Sequence, residues 1–258
     1  MFGLGVNKLG INVAADPVAV LFSNGEEGAW YDISDLSTLF QEDGTTPAVV
    51  GQEVGKVLDK SGNGNHLVQT TATNCPILQV ENGRYYLDFD GGDGLQASAI
   101  DMTGTNQMTV CVGCKKDTND TMAIAEFSLN VGGNQGTFRI ASLSNVWRWT
   151  SRGDSTVNVN STGTTYGAGS LSVLTGQASI TGDTSSLRID GALNNDSTAD
   201  QGTGPYGNHT LNVGARNAGA SIQLDGRIYG LVVRGASSTA TEVDNLEDYM
   251  GRKTGVAV

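Results

Sequence analysis

Positive charge, histidine and cysteine are all scarce in this chain, and each scarcity removes a class of function. Lys and Arg total 15 against 27 Asp and Glu, for a net charge of −12. A surface this acidic repels phosphate backbones, and the longest basic run is Lys115-Lys116, so nucleic-acid binding is disfavoured and no nucleic-acid partner is expected. The two histidines, His66 and His209, both sit among Asn and Gly and offer little to acid–base catalysis. There is no GxSxG nucleophile elbow and no tight Glu-x-Asp-x-x-Glu strand of the kind a sandwich glucanase carries, and Glu126 stands alone in its segment. Catalysis is therefore disfavoured. The three cysteines leave one over in any pairing scheme. Cys111 and Cys114 form a CxxC, but they fall in an alternating segment, where positions three apart point to opposite faces. No second CxxC completes a zinc set, so structural thiols in a reducing compartment are expected. Long apolar runs are missing too. The early run at 18–22 is far too short to span a bilayer, and no apolar stretch follows Lys8, so neither membrane insertion nor a signal peptide is expected.

Turn formers and short strands take up the space. Glycine contributes 36 of 258 residues, about twice its usual share of roughly 7%. From Arg84 onward, strand-like runs fall at 84–90, 95–98, 108–115, 124–130, 137–142, 146–151 and 156–160. Others follow at 171–180, 186–189, 210–213 and 222–234, and 76–80 precedes them all. Gly132-Gly133, Gly153-Asp154, Gly182-Asp183, Asp190-Gly191 and Asp225-Gly226 punctuate the series. Short strands at this spacing predict an all-β antiparallel sandwich in place of βαβ units, with 177–180 and 187–189 forming one hairpin. Two helices are expected. A short one near the N-terminus is capped by Ser34 and carries Leu36, Leu39 and Phe40, with Trp30 packed under it. A C-terminal one is capped by Thr239 with Glu242 as its capping-box partner. Its apolar stripe is Val243, Leu246 and Met250, and Gly255 stops it. Residues 1–27 read as an arm and linker, and residues 28–258 as the sandwich. In the arm, Phe2, Leu4 and Val6, then Leu9, Ile11 and Val13, alternate like a strand. This is either a frayed terminus or an assembly arm that adds a strand to a neighbouring chain.

Three groups of residues are candidates for chemistry. Asp88, Asp90 and Asp93 in LDFDGGDG are hard oxygen ligands that could hold calcium, or they end a strand and cap its turn. Calcium is the one cofactor left open. Trp147 and Trp149 flank Arg148, and alternation puts both indoles on one face. They are either a platform on which sugar rings stack, with amides such as Asn63 and Asn65 gripping hydroxyls, or core tryptophans. Gly202–Gly207 reads GTGPYG, a GxGxxG match in which Pro205 and a following strand replace the helix that a dinucleotide needs, so it is a loop.

Four motifs in order carry a resemblance: GAWYDISDLSTLFQ, GTTPAVVGQEVGKVLDKSGNGNH, GRYYLDFDGGDGL and the closing DGRIYGLVVRGASSTATEVDNLEDYMGRKTGV. Together they cover about 28–258, and the chain resembles bacteriophage virion structural proteins of the tail or fibre type. Those proteins resemble laminin-G-like, concanavalin-A-like lectin domains. The resemblance implies a jelly-roll sandwich, a location in the virion after synthesis in the host cytoplasm, and virion proteins or sister copies as partners. It brings no catalytic residues and no lectin-type calcium ligands. The expected function is a non-enzymatic tail, fibre or decoration protein in a homo-oligomer, contacting host-surface glycans. A true receptor-binding lectin and a polysaccharide depolymerase are the alternatives.

Overall fold

The computed structural model of the chain describes residues 16–154, 157–161 and 164–258. The arm residues Phe2, Leu4, Val6, Leu9, Ile11 and Val13 lie outside the described residues. In chain order the first strands are β1 (Gly28–Asp32), β2 (Leu39–Phe40), β3 (Lys56–Val57), β4 (Leu67–Val68), β5 (Ile77–Glu81) and β6 (Arg84–Asp90). Next come β7 (Leu95–Asp101), β8 (Gln107–Lys116), β9 (Met122–Phe127), β10 (Thr137–Leu143), β11 (Val146–Arg152) and β12 (Val157–Ser161). The series closes with β13 (Leu171–Ser179), β14 (Thr184–Ile189), β15 (Ala192–Ser197), β16 (Asn208–Val213) and β17 (Asp225–Arg234), followed by helix α1 (Ala240–Thr254).

These strands make two antiparallel sheets. One runs β15-β14-β13-β8-β17-β6-β5, and β1 also pairs with β17. The halves of β17 serve different neighbours: Asp225 to Ile228 face β6, and Gly230 to Arg234 face β1. The other sheet runs β12-β11-β10-β9-β16-β7-β4-β3-β2. Strand alternation separates its two faces cleanly. Leu39, Val57, Leu67, Ala97, Leu211, Phe127 and Phe138 stand in register across seven strands, and all belong to the core between the sheets. One residue along, Lys56, Val68, Gln96, Asn212, Glu126, Arg139 and Thr150 stand in register across β3 to β11 and point the other way.

The outer face of the eight-stranded sheet is closed by α1. Cys111, Val173, Val232 and Trp30 form a second apolar cluster with Leu246, Tyr249 and Met250 of the helix. Val18, Leu21 and Phe22 complete it, so the segment from residue 16 is docked on the sandwich. Arg234 Nη2 ties that segment to β17 through a 2.8 Å ion pair with Glu26. The helix is capped at Thr239, whose side chain accepts from Glu242 N while the Glu242 carboxylate accepts from Thr239 N. It ends at Gly255, left-handed at φ 86°. Arg188 of β14 clamps it from below, with Nη2 at 2.9 Å from Glu247.

The expected N-terminal helix does not form. Its residues make β1, a three-residue 3-10 turn at Leu36–Thr38 and the short strand β2. Every residue of β1 is buried, because the strand lies between the core and α1. Trp30 packs against α1, with Nε1 donating to Tyr249 Oη at 3.2 Å. Cys111 faces the helix side and Cys114 the inter-sheet core, both as free thiols. Burial pushes the Cys111 thiol up to about 12, which leaves it unreactive.

Candidate binding face

The helix covers one outer face of the sandwich, and the outer face of the nine-stranded sheet remains. Its centre is a buried acid. Glu126 on β9 has no exposed surface. Its carboxylate accepts from Arg216 Nε at 3.1 and 2.9 Å, from Val131 N at 2.7 Å and from Ser128 Oγ at 3.3 Å. Gln96 Nε2 donates to Asn212 Oδ1 at 3.0 Å, and Asn212 Nδ2 donates to Ser128 O at 2.8 Å, extending the polar row across β7 and β16. Arg152 Nη1 donates to the carbonyls of Val131 and Gly132 and pins the β9–β10 loop.

Arg139 is different. Its register partner across β9 is Glu126, yet Nη1 stands 3.8 Å from the carboxylate, too long for a hydrogen bond. Nε is buried without a partner, and the residue makes no hydrogen bond among the described residues. Nε is sealed in, while 13% of the side chain as a whole is exposed. Burial holds this guanidinium below its ordinary range; Glu126 opposes that, and the like charges of Arg216 and Arg148 add to it. Arg148, paired with Ala141 on β10, is Arg139's diagonal neighbour. Arg139 thus has one carboxylate, Glu126, and two further guanidiniums, Arg216 and Arg148, as its charged neighbours.

The residues singled out from sequence take other places. Trp147 and Trp149 do share a face, but it is the inner one, and neither indole is exposed. Phe138 stacks on Trp149 at 5.6 Å, and the buried Lys116 Nζ sits 4.9 Å over the Trp147 ring. Neither ring has a face to offer a sugar. Asn63 and Asn65 spend their amides on the chain itself: Nδ2 of each donates to Gly28 O, at 3.2 and 2.8 Å. Asp59 organises that loop, accepting from Trp30 N, Ser61 N, Ser61 Oγ and Asn65 N. Asp88, Asp90 and Asp93 lie near one another but serve the strand end and its turn. Asp88 lies 3.8 Å from Arg227, Asp90 Oδ1 accepts from Gly92 N, and Asp93 Oδ2 accepts from Asp90 N. Among the described residues no cluster of three His, Cys, Asp or Glu side chains could hold a metal ion. What brings Arg139, Glu126 and Arg216 together is cross-strand register and a loop fold. The only sequence signal was an isolated Glu in an apolar strand.

Clefts lie elsewhere among the described residues, and two of them bear on the sequence motifs. One, of about 450 Å³, is bordered by Gln177, Ser186, Leu193 and Asp196 beside the turn into α1. The other, of about 410 Å³, lies at a loop end that includes the GTGPYG segment. There Asp154 accepts from Thr203 N and Oγ1, and His209 Nε2 donates to Gln135 O at 2.8 Å. No helix among the described residues is long and apolar enough to cross a membrane.

The fold has solved counterparts. Domain 4 of AbnA, a GH43 extracellular arabinanase from Geobacillus stearothermophilus, was solved with arabinotriose; it matches over 86% of this chain and 100% of its own, at 15% identity and a TM-score of 0.57. The binding domain of botulinum neurotoxin serotype G matches 76% of the chain at 12% identity and a TM-score of 0.56. A third match is to botulinum neurotoxin type C, which enters cells through interaction with two ganglioside molecules; it covers 88% of the chain at 12% identity and a TM-score of 0.57. The chain spans 49% and 52% of those two toxin structures. No protein-family model matches the sequence, and neither does any curated protein. At these identities the likeness is one of fold alone: an antiparallel, jelly-roll-like sandwich.

Proposed function

We propose that the chain is a non-enzymatic structural protein of a bacteriophage virion, present in several copies, that contacts host-surface saccharides through the outer face of its nine-stranded sheet. The observation that carries the saccharide reading is that face itself. It is a polar, arginine-bearing face that α1 does not cover, on a sandwich whose opposite face is closed by that helix. The neighbours support it, one having been solved with arabinotriose and another interacting with gangliosides. The virion reading rests on the resemblance of the motifs over 28–258 to those of phage structural proteins. The non-enzymatic reading draws support from how the chain uses its acid–base groups. His66 Nδ1 accepts from Asp59 N, His209 bonds a backbone carbonyl, and Glu126 is saturated by Arg216 and its own loop.

A glycan array probed with the purified chain tests the saccharide reading. Binding to a subset of glycans is expected, and no signal above background would overturn it. Incubating the chain with the same polysaccharides should release no new reducing ends; their release would establish the depolymerase alternative. Immunogold labelling of phage particles should decorate the virion, and unlabelled particles would sink the virion assignment.

A further inference from the structure

We infer that the outer face of the nine-stranded sheet selects acidic saccharides, with the terminal nitrogens of Arg139 receiving a sugar carboxylate. The inference rests on the saccharide reading above and adds the ligand's charge and the residue that reads it. Cross-strand register places Arg139 between Glu126 of β9 and Thr150 of β11, and most of its side chain is enclosed. Its own acid does not satisfy it: Glu126 is drawn to Arg216, Val131 N and Ser128, and its Oε2 stays 3.8 Å from Arg139 Nη1. Nε is sealed in without a partner and the side chain is in part exposed, so the hydrogen-bonding capacity of the terminal nitrogens is unspent. A guanidinium presents paired donors in a fork that matches a carboxylate's two oxygens. Arg148 and Arg216 add positive potential around it, and half-burial weakens solvent screening of that field. A neutral sugar would leave this charge unanswered. An acidic sugar answers it and still presents hydroxyls to the surrounding surface. Nucleic acid brings anions too, but as a long line of phosphates, and the chain's net charge of −12 opposes it.

The test uses matched pairs in calorimetry: sialyllactose against lactose, and trigalacturonate against maltotriose. The acidic member of at least one pair should bind about tenfold or more tightly than its neutral mate, as expected for a charge-assisted contact. That preference should weaken as salt is raised. Arg139→Gln should abolish the preference, Arg139→Lys should restore part of it, and Arg227→Gln on the other sheet should leave it intact. Unfolding midpoints confirm that each variant is folded. If Arg139→Gln misfolds, Arg148→Gln, which lowers the same local potential, should reduce the preference severalfold. Equal binding of acidic and neutral partners, or a preference that survives Arg139→Gln, would overturn the inference while leaving the saccharide reading standing. Absence of binding by every saccharide in both this assay and the array would remove both.

Discussion

Trp149 of β11 and Gly176 of β13 touch across the sandwich, and the absence of a side chain at 176 is what allows it. A β-carbon on Gly176 would stand 2.4 Å from the indole Cδ2 and Cε3. The indole is fully buried and fills the space between the sheets. Gly176→Ala should therefore force the ring or the strand to shift and destabilise the protein by about 1–3 kcal/mol. Chemical denaturation measures it. Trp149→Phe in the Gly176→Ala background should recover part of the loss, because the two changes share one contact. If Gly176→Ala unfolds at the wild-type midpoint, the close approach is not as described.

The ion pair on the outer face carries a second expectation. Glu126 is fully buried, and Glu126→Gln would strand the Arg216 guanidinium beside a neutral amide. Removing one member of a buried pair costs about 3–5 kcal/mol, much of it from the charge left behind. The double variant Glu126→Gln/Arg216→Gln should lose less than the sum of its parts. Additive losses in the denaturation cycle would mean that the two groups do not couple.

How far the sequence revealed this depended on whether a signal was local. Strand β6 was bounded at Arg84–Asp90 from its alternation and flanking turns, and α1 was bounded by its capping box and by Gly255. Both signals lie within a few residues along the chain. β1 carried no such signal: buried on both faces, it does not alternate, and the helix-like spacing of Leu36, Leu39 and Phe40 next to it was misleading. The tryptophans show the limit for sites. Alternation put Trp147 and Trp149 on one face correctly, but which face is inner depends on the partner sheet. The Glu126–Arg139–Arg216 arrangement joins β9, β10 and the loop after β16, and no spacing along the chain encodes it.

The Asp59 loop yields a third expectation. One carboxylate collects two backbone N–H groups within the loop, the Ser61 hydroxyl and the Trp30 N–H of β1. Asp59→Ala leaves these donors without an acceptor, the Trp30 N–H in a buried site. Each buried orphan costs about 1–3 kcal/mol. The variant should lose at least about 2 kcal/mol in denaturation, and hydrogen exchange should speed up at Trp30 and Asn65. Asn63→Ala, which touches only carbonyls from an exposed position, should cost much less. Equal losses from the two substitutions would remove Asp59 from the centre of the loop.

Asp93 sets a pH dependence whose sign is fixed by its burial. Enclosure against β6 raises its carboxyl from 3.8 to about 6; the hydrogen bond from Asp90 N works against that, and the nearby Asp90 and Asp88 charges add to it. The folded protein therefore holds this proton more tightly than the unfolded chain does. Between about pH 4 and 6 the unfolded chain has released it and the folded protein has not, so stability falls as pH rises through this window and levels off above it. Asp93→Asn keeps an oxygen to accept from Asp90 N and cannot ionise. Relative to the variant, the wild-type denaturation midpoint should drop progressively from pH 4 to pH 7, and the difference should be constant at higher pH. A difference that is flat across the whole range, or that rises with pH, would show that Asp93 titrates as an ordinary exposed carboxylate or is held ionised by its neighbours.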